Sequence, residues 1–138
     1  MKLKIYTDGG ARGNPGPAGC GAVIYNAQNK KIKEESSFIT KATNNQAEYE
    51  ALILGLKKAK ELKASEVDCY LDSKLIVEQL NHNYKIKNPI LGFLFIKVWN
   101  LSQSFKKVQF FYIPREQNKE ADKLVNQIID QNTKGLNR

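Results

Sequence analysis

The segment YTDGGARGNPGPAGCGAVI, Tyr6–Ile24, carries six glycines and two prolines between two apolar runs, and its reading decides the fold. On its N-terminal side, KLKIYTD alternates, with Leu3 and Ile5 on one face and Tyr6 and Asp8 on the other, the pattern of a β-strand ending at Asp8. On its C-terminal side, GAVIYN reads as a second strand and KIKEESSFIT as a third, so the segment predicts a glycine-rich turn inside an antiparallel meander. Gly10, Gly13 and Gly16 are spaced G-x-x-G-x-x-G, not the G-x-G-x-x-G of dinucleotide-binding folds. A strand rather than a helix follows them, which disfavours a nucleotide-cofactor fold.

The rest of the chain switches period. TNNQAEYEALILGLKKAKEL opens with Thr43 and has Gln46 three residues on, a capping box that predicts a helix over 44–62. EVDCYLD is strand-like and ends at Asp72, and SKLIVEQL supplies a short helix with Ser73 as its cap. After Pro89, ILGFLFIKVWNLSQSF reads as a helix with Trp99 in the core. KVQFFYI is a fifth strand stopped by Pro114, and a last helix over 118–131 presents Ala121, Leu124, Val125, Ile128 and Ile129 as one apolar stripe. The expected architecture is α/β: a mixed five-stranded sheet, its first three strands antiparallel, with helices packed on it.

At 138 residues the chain predicts one domain, 1–131, with 132–138 as a frayed tail. Its 22 Lys and Arg against 14 Asp and Glu leave a formal charge of +8, which suits an anionic partner such as nucleic acid or a membrane surface. No apolar run reaches the roughly 20 residues of a membrane span, and the N-terminus lacks a secretory pattern, so a soluble, cytoplasmic protein is expected. Cys20 and Cys69 form no metal-binding spacing and read as buried, reduced thiols.

Four acidic residues fall at unusual places. Asp8 and Asp72 each close a strand, where ligands bind in sheets with helical crossovers. Glu48 lies along the apolar side of its helix, beside Ala51 and Leu52, and Asp122 borders the stripe of Val125 and Ile129. Singly, these are ordinary turn, cap or first-turn acids. Gathered together, each pair would repel by roughly 4 kcal/mol at 4 Å and intermediate dielectric, so a cation must sit among them. With no Cys or His cluster, oxygen ligands favour Mg2+ or Mn2+ over zinc, and two such ions about 3.5–4 Å apart suit phosphodiester cleavage.

At these residues the sequence resembles type 1 ribonuclease H. The blocks YTDGGARGNPGPAGCGAVI, TNNQAEYEAL, LDSKLIVEQL and NKEADKLV match that family's signatures in order and spacing across residues 3–128. The resemblance implies the ribonuclease H-like fold and a monomeric, metal-dependent endonuclease that cuts the RNA strand of an RNA/DNA hybrid, leaving 5′-phosphate and 3′-hydroxyl ends. It implies Asp8, Glu48, Asp72 and Asp122 as catalytic metal ligands for two ions, Mg2+ or Mn2+, with Asp8 as the bridge. It also implies substrate contacts from Gly9, Gly10, Asn14, Thr43, Asn44, Asn45 and Gln46, with Thr43 holding a phosphate of the DNA strand. Reading of 2′-hydroxyls falls to Glu48 and the asparagines, and the glycine turn lets backbone approach the RNA.

Two departures accompany the match. The loop IPREQNKEAD lacks the histidine that many members carry there, leaving Arg115 or Glu116 to take part of its role, while His82 reads as an exposed loop residue. The basic protrusion of some bacterial members is also missing, with Lys85, Lys87 and Lys97 as candidate substitutes. A silent hybrid-binding module, a nuclease acting on double-stranded RNA and a purely structural basic protein remain as alternatives.

Overall fold

In the computed structural model, which describes residues 1–134, the elements run β1 (Lys2–Ala11), β2 (Gly16–Asn26), β3 (Lys31–Ala42), α1 (Asn44–Glu61), β4 (Glu66–Leu71), α2 (Lys74–Leu80), α3 (Pro89–Ser102), β5 (Lys107–Tyr112) and α4 (Lys119–Thr133), with a single 3-10 turn at Arg115–Gln117 before α4. The sheet order is β3-β2-β1-β4-β5. β1, β2 and β3 pair antiparallel, whereas β4 is parallel to both β1 and β5. The mixed five-stranded sheet with an antiparallel first half is thus the one expected.

The glycine segment differs from its reading. β1 does not stop at Asp8 but continues to Ala11, because its ladder with β2 runs on to the pair Ala11–Ala18. Its parallel ladder with β4 does stop, at Thr7–Leu71. Asp8 therefore lies inside an antiparallel pair yet at the open end of a parallel one, and the turn shrinks to residues 12–15. The extended glycines serve packing. A Cβ on Gly9 would lie 2.2 Å from the carbonyl carbon of Ala47, so β1 and α1 meet backbone to backbone. On β2, a Cβ on Gly21 would lie 2.7 Å from the carbonyl oxygen of Ala121, which lets α4 approach the sheet.

Alternation along β1 sorts the helices. Leu3, Ile5 and Thr7 are fully buried on the face that meets α1, where Gly55 admits Ile5 and Thr7. Asp8, opposite Gly21, points to the face that carries α4. The main core joins Leu3, Ile5 and Ile24 of the sheet to Tyr49, Leu52 and Leu56 of α1 and Leu91, Leu94 and Val98 of α3. Each such apolar side chain stabilises the fold by about 1.5–3 kcal/mol.

Local signals account for the helix ends. Thr43 accepts from the Gln46 backbone N–H while the Gln46 side chain accepts from Thr43 N–H, completing the capping box. Ser73 caps α2. Along α4, Ala121, Val125 and Ile129 are buried, with Leu124 and Ile128 half-buried beside them. The helix continues to Thr133, past the point where a tail was expected, and residues 135–138 of that segment lie outside the described residues.

Trp99 is not in the core. It is 52% exposed, because α3 turns Leu91, Leu94 and Val98 inward and that phase leaves Phe93, Ile96 and Trp99 facing out. Both cysteines are buried and free. Among the described residues, no helix is long and apolar enough to cross a membrane.

Candidate active site

Three elements converge where the β1–β4 ladder ends. Asp8 comes from β1, Asp72 directly follows β4, and Glu48 descends from the second turn of α1, whose entry angle the Thr43–Gln46 box fixes. One oxygen from each of Asp8, Glu48 and Asp72 lies within 4.8 Å of the others. Asp122, in the first turn of α4, lines the same cleft of about 470 Å3, together with Gly9, Gly10, Asn44, Asn45 and Arg115. Asp122 falls outside the tight triad but is close enough to raise the Asp8 pKa.

Contacts around the cleft hold these groups in place. The Gly9 N–H donates to Glu48 Oε1 at 3.3 Å, tying the two elements that Gly9 brings together. Asn118 Nδ2 donates both to the Thr7 carbonyl at 2.8 Å and to Asp72 Oδ2 at 2.9 Å, so one buried amide links β1, β4 and the start of α4. Asn118 was not singled out from sequence. Its only local signal is an asparagine just before a helix, which ordinarily reads as a cap, and here the side chain makes no cap hydrogen bond. Asn44 Oδ1 accepts from the Ala11 N–H at 2.8 Å, and the Asn44 N–H donates to Asn14 Oδ1 at 3.0 Å, which fixes the α1 end against the 12–15 turn.

The remaining candidates divide. Arg115 reaches the cleft, with Nη2 3.8 Å from Asp122 Oδ1, although its side chain is 82% exposed. Glu116 instead lines a separate cleft beside Tyr6 and Tyr25. Thr43 and Gln46 satisfy each other, and His82 is exposed and lines neither cleft.

The electrostatics are those of carboxylates short of a counter-charge. Burial pushes the Asp8 carboxyl up to about 7; repulsion from Asp72 and Asp122 adds to this, and a hydrogen bond from Glu48 opposes it. Glu48 is held well above the usual carboxylate range, by burial first and then by the Asp8 charge, with the Gly9 N–H opposing. Both carboxyls are therefore harder to ionise than a solvent-exposed carboxylate. Glu48 Oε2 is buried with no hydrogen-bond partner. An orphaned carboxyl oxygen in a cleft lined by further carboxyl groups, with no sulfur or imidazole among its described lining residues, fits a hard, oxygen-seeking cation.

Carboxylates at the open end of a parallel pair, in a β3-β2-β1-β4-β5 sheet and opposite a helical glutamate, define a ribonuclease H-like domain. A family model described as "Reverse transcriptase-like" matches residues 6–128, and the chain belongs to that family, on its type 1 ribonuclease H side. It is 44% identical over 131 residues to the bifunctional protein Rv2228c of Mycobacterium tuberculosis, covering 94% of this chain and 36% of that one. The chain thus spans about a third of the length of that relative. Among solved structures it resembles RNase H1 of the archaeon Halobacterium salinarum, at 34% identity and a TM-score of 0.93, covering 95% of this chain and 99% of that one. It also resembles LC11-RNase H1, solved in complex with an RNA/DNA hybrid, at 44% identity and a TM-score of 0.90, covering 94% and 97%.

Proposed function

We propose that this chain is a metal-dependent endoribonuclease that hydrolyses the RNA strand of RNA/DNA hybrids. The observation that carries the reading is the convergence of Asp8, Glu48 and Asp72 within 4.8 Å around an oxygen that has no partner. Similarity to LC11-RNase H1, whose structure holds an RNA/DNA hybrid, supports the choice of substrate.

Asp8, Glu48, Asp72 and Asp122 would hold Mg2+ or Mn2+, two ions in all. Divalent ions bound there would supply an activated water and charge neutralisation at the leaving oxygen, which would suit cleavage to 5′-phosphate and 3′-hydroxyl ends. A bound cation would favour the ionised forms of Glu48 and Asp8, which burial disfavours. Asn118 keeps Asp72 in a single orientation, so less reorganisation accompanies binding. Arg115 stands at the mouth, where its guanidinium can meet a phosphate without displacing a carboxylate.

Substrate contacts follow the cleft. Gly9 and Gly10 offer backbone beside Asp8, and Asn14, Asn44 and Asn45 reach the same rim, where amides can read 2′-hydroxyls. Thr43 and Gln46 would act through the cap they build, with Thr43 nearest a DNA-strand phosphate. Glu116 and the lysines at 85, 87 and 97 would contribute outside the carboxylate cleft. Side-by-side digestion of labelled hybrid, RNA duplex and DNA duplex tests this reading. Hybrid alone should be cut, and preferential cutting of RNA duplex would replace the assigned substrate.

A further inference from the structure

A third cleft, of about 400 Å3, lies between the C-terminal half of α3, the end of α2 and the start of β5. It shares no residue with the carboxylate cleft. Lys107 pairs with Glu66 at the beginning of β4, whereas Asp72 follows its end, so six strand residues at about 3.3 Å each place Lys107 roughly 20 Å from Asp72. Its volume is in the range of ligand pockets, roughly 300–1,000 Å3.

The walls are aromatic and cationic. Trp99 presents a half-exposed indole that the core does not require. His82 stands edge-on to both Phe95, at 5.9 Å, and Trp99, at 6.2 Å. It does so from φ 65°, a left-handed conformation that favours glycine, so the backbone holds an imidazole where a smaller residue would fit more easily. Lys106 and Lys107 line the same cleft, both exposed, and neither forms an ion pair among the described residues. Among the described residues no Asp or Glu lines the cleft, so the lysines there face no acidic partner.

We propose that this cleft binds single-stranded nucleic acid, with a base stacked on Trp99 and the adjoining phosphate held by Lys106 and Lys107. A π-face beside unpaired cations is the pairing of features that sequence-tolerant single-strand sites use. The charge complementarity selects a polyanion over a neutral apolar partner, and the distance from the carboxylates makes it an accessory site for an unpaired stretch of nucleic acid. The inference does not depend on cleavage at the first cleft.

Trp99 is the one tryptophan of the chain, so its fluorescence reports directly on this cleft. The test is a titration of the full chain, in EDTA and low salt, with an oligothymidylate of about twelve nucleotides, within the usual site sizes. EDTA suppresses metal-dependent cutting, so the outcome is separate from that of the nuclease reading. Saturable quenching is expected, and Lys106→Glu with Lys107→Glu should weaken binding about tenfold or more, with a shallower salt dependence. Lys106→Gln with Lys107→Gln should give a smaller loss in the same direction, and unchanged thermal midpoints would show both variants folded. Strand binding that leaves Trp99 emission unchanged, or equal affinity in both variants, would overturn the proposal. So would quenching by thymidine monophosphate as strong as that by the strand, which would make this a free-nucleotide pocket.

Discussion

Replacing Asp8 by Asn should make the metal-free protein more stable at alkaline pH while removing its site. Burial pushes the Asp8 carboxyl from its ordinary value of 3.8 up to about 7 in the fold. Between those values the native state keeps a proton that the unfolded state has released, so stability falls as pH rises through that window and the full cost is present above about 7. A difference of about three units corresponds to about 4 kcal/mol, an upper value because the cleft side of the carboxylate can reach water. Asparagine has nearly the same shape and cannot ionise, so it escapes this cost. It also relieves Glu48, whose raised pKa owes part of its rise to the Asp8 charge. Urea unfolding in EDTA from pH 4.5 to 8.5 reads the effect: Asp8→Asn should gain about 2–4 kcal/mol at pH 8, and the gain should shrink below pH 5. Added Mg2+ should stabilise the parent by mass action and leave the variant unmoved. A variant less stable than the parent at pH 8, or a difference independent of pH, would refute the electrostatic account of this cleft.

Other substitutions probe the supports of the site. Asn118→Ala strands the Thr7 carbonyl and frees Asp72, and should cost about 1–3 kcal/mol in urea unfolding and about 10–100-fold in activity, without shifting the cleavage pattern. Gly9→Ala puts a methyl 2.2 Å from the Ala47 carbonyl carbon and should destabilise by about 3 kcal/mol or more, as strand and helix are forced apart. Burial pushes the Cys20 thiol up to about 12 and Cys69 further, so neither should react with a thiol reagent at pH 8 until the protein unfolds, as a colorimetric time course would show.

What the sequence disclosed follows from the range of each interaction. The Thr43–Gln46 capping box spans three residues, and its chemistry is complete within them. Glu48 was legible because an acid on the apolar side of a helix conflicts with its neighbours, and its orphaned oxygen is that conflict made visible. The glycine segment looked like a turn because local chemistry cannot show that β2 pairs with it to Ala11 and that α1 and α4 need the missing Cβ atoms. Hydrophobicity alone places Trp99 in the core, but the phase of α3 is set by its contact with α1, which turns other residues inward. Asn118 is silent in the sequence because its partners are 111 and 46 residues away.

The central claim is that the carboxylate cleft cuts RNA with the help of divalent ions. Its most direct test is an end-labelled RNA/DNA hybrid incubated with parent and Asp8→Asn protein in Mg2+, Mn2+ and EDTA. The account predicts cutting of the RNA strand alone, by the parent alone, and only with metal. Hybrid that is bound but left intact under both metals would contradict it and leave a binding module in its place.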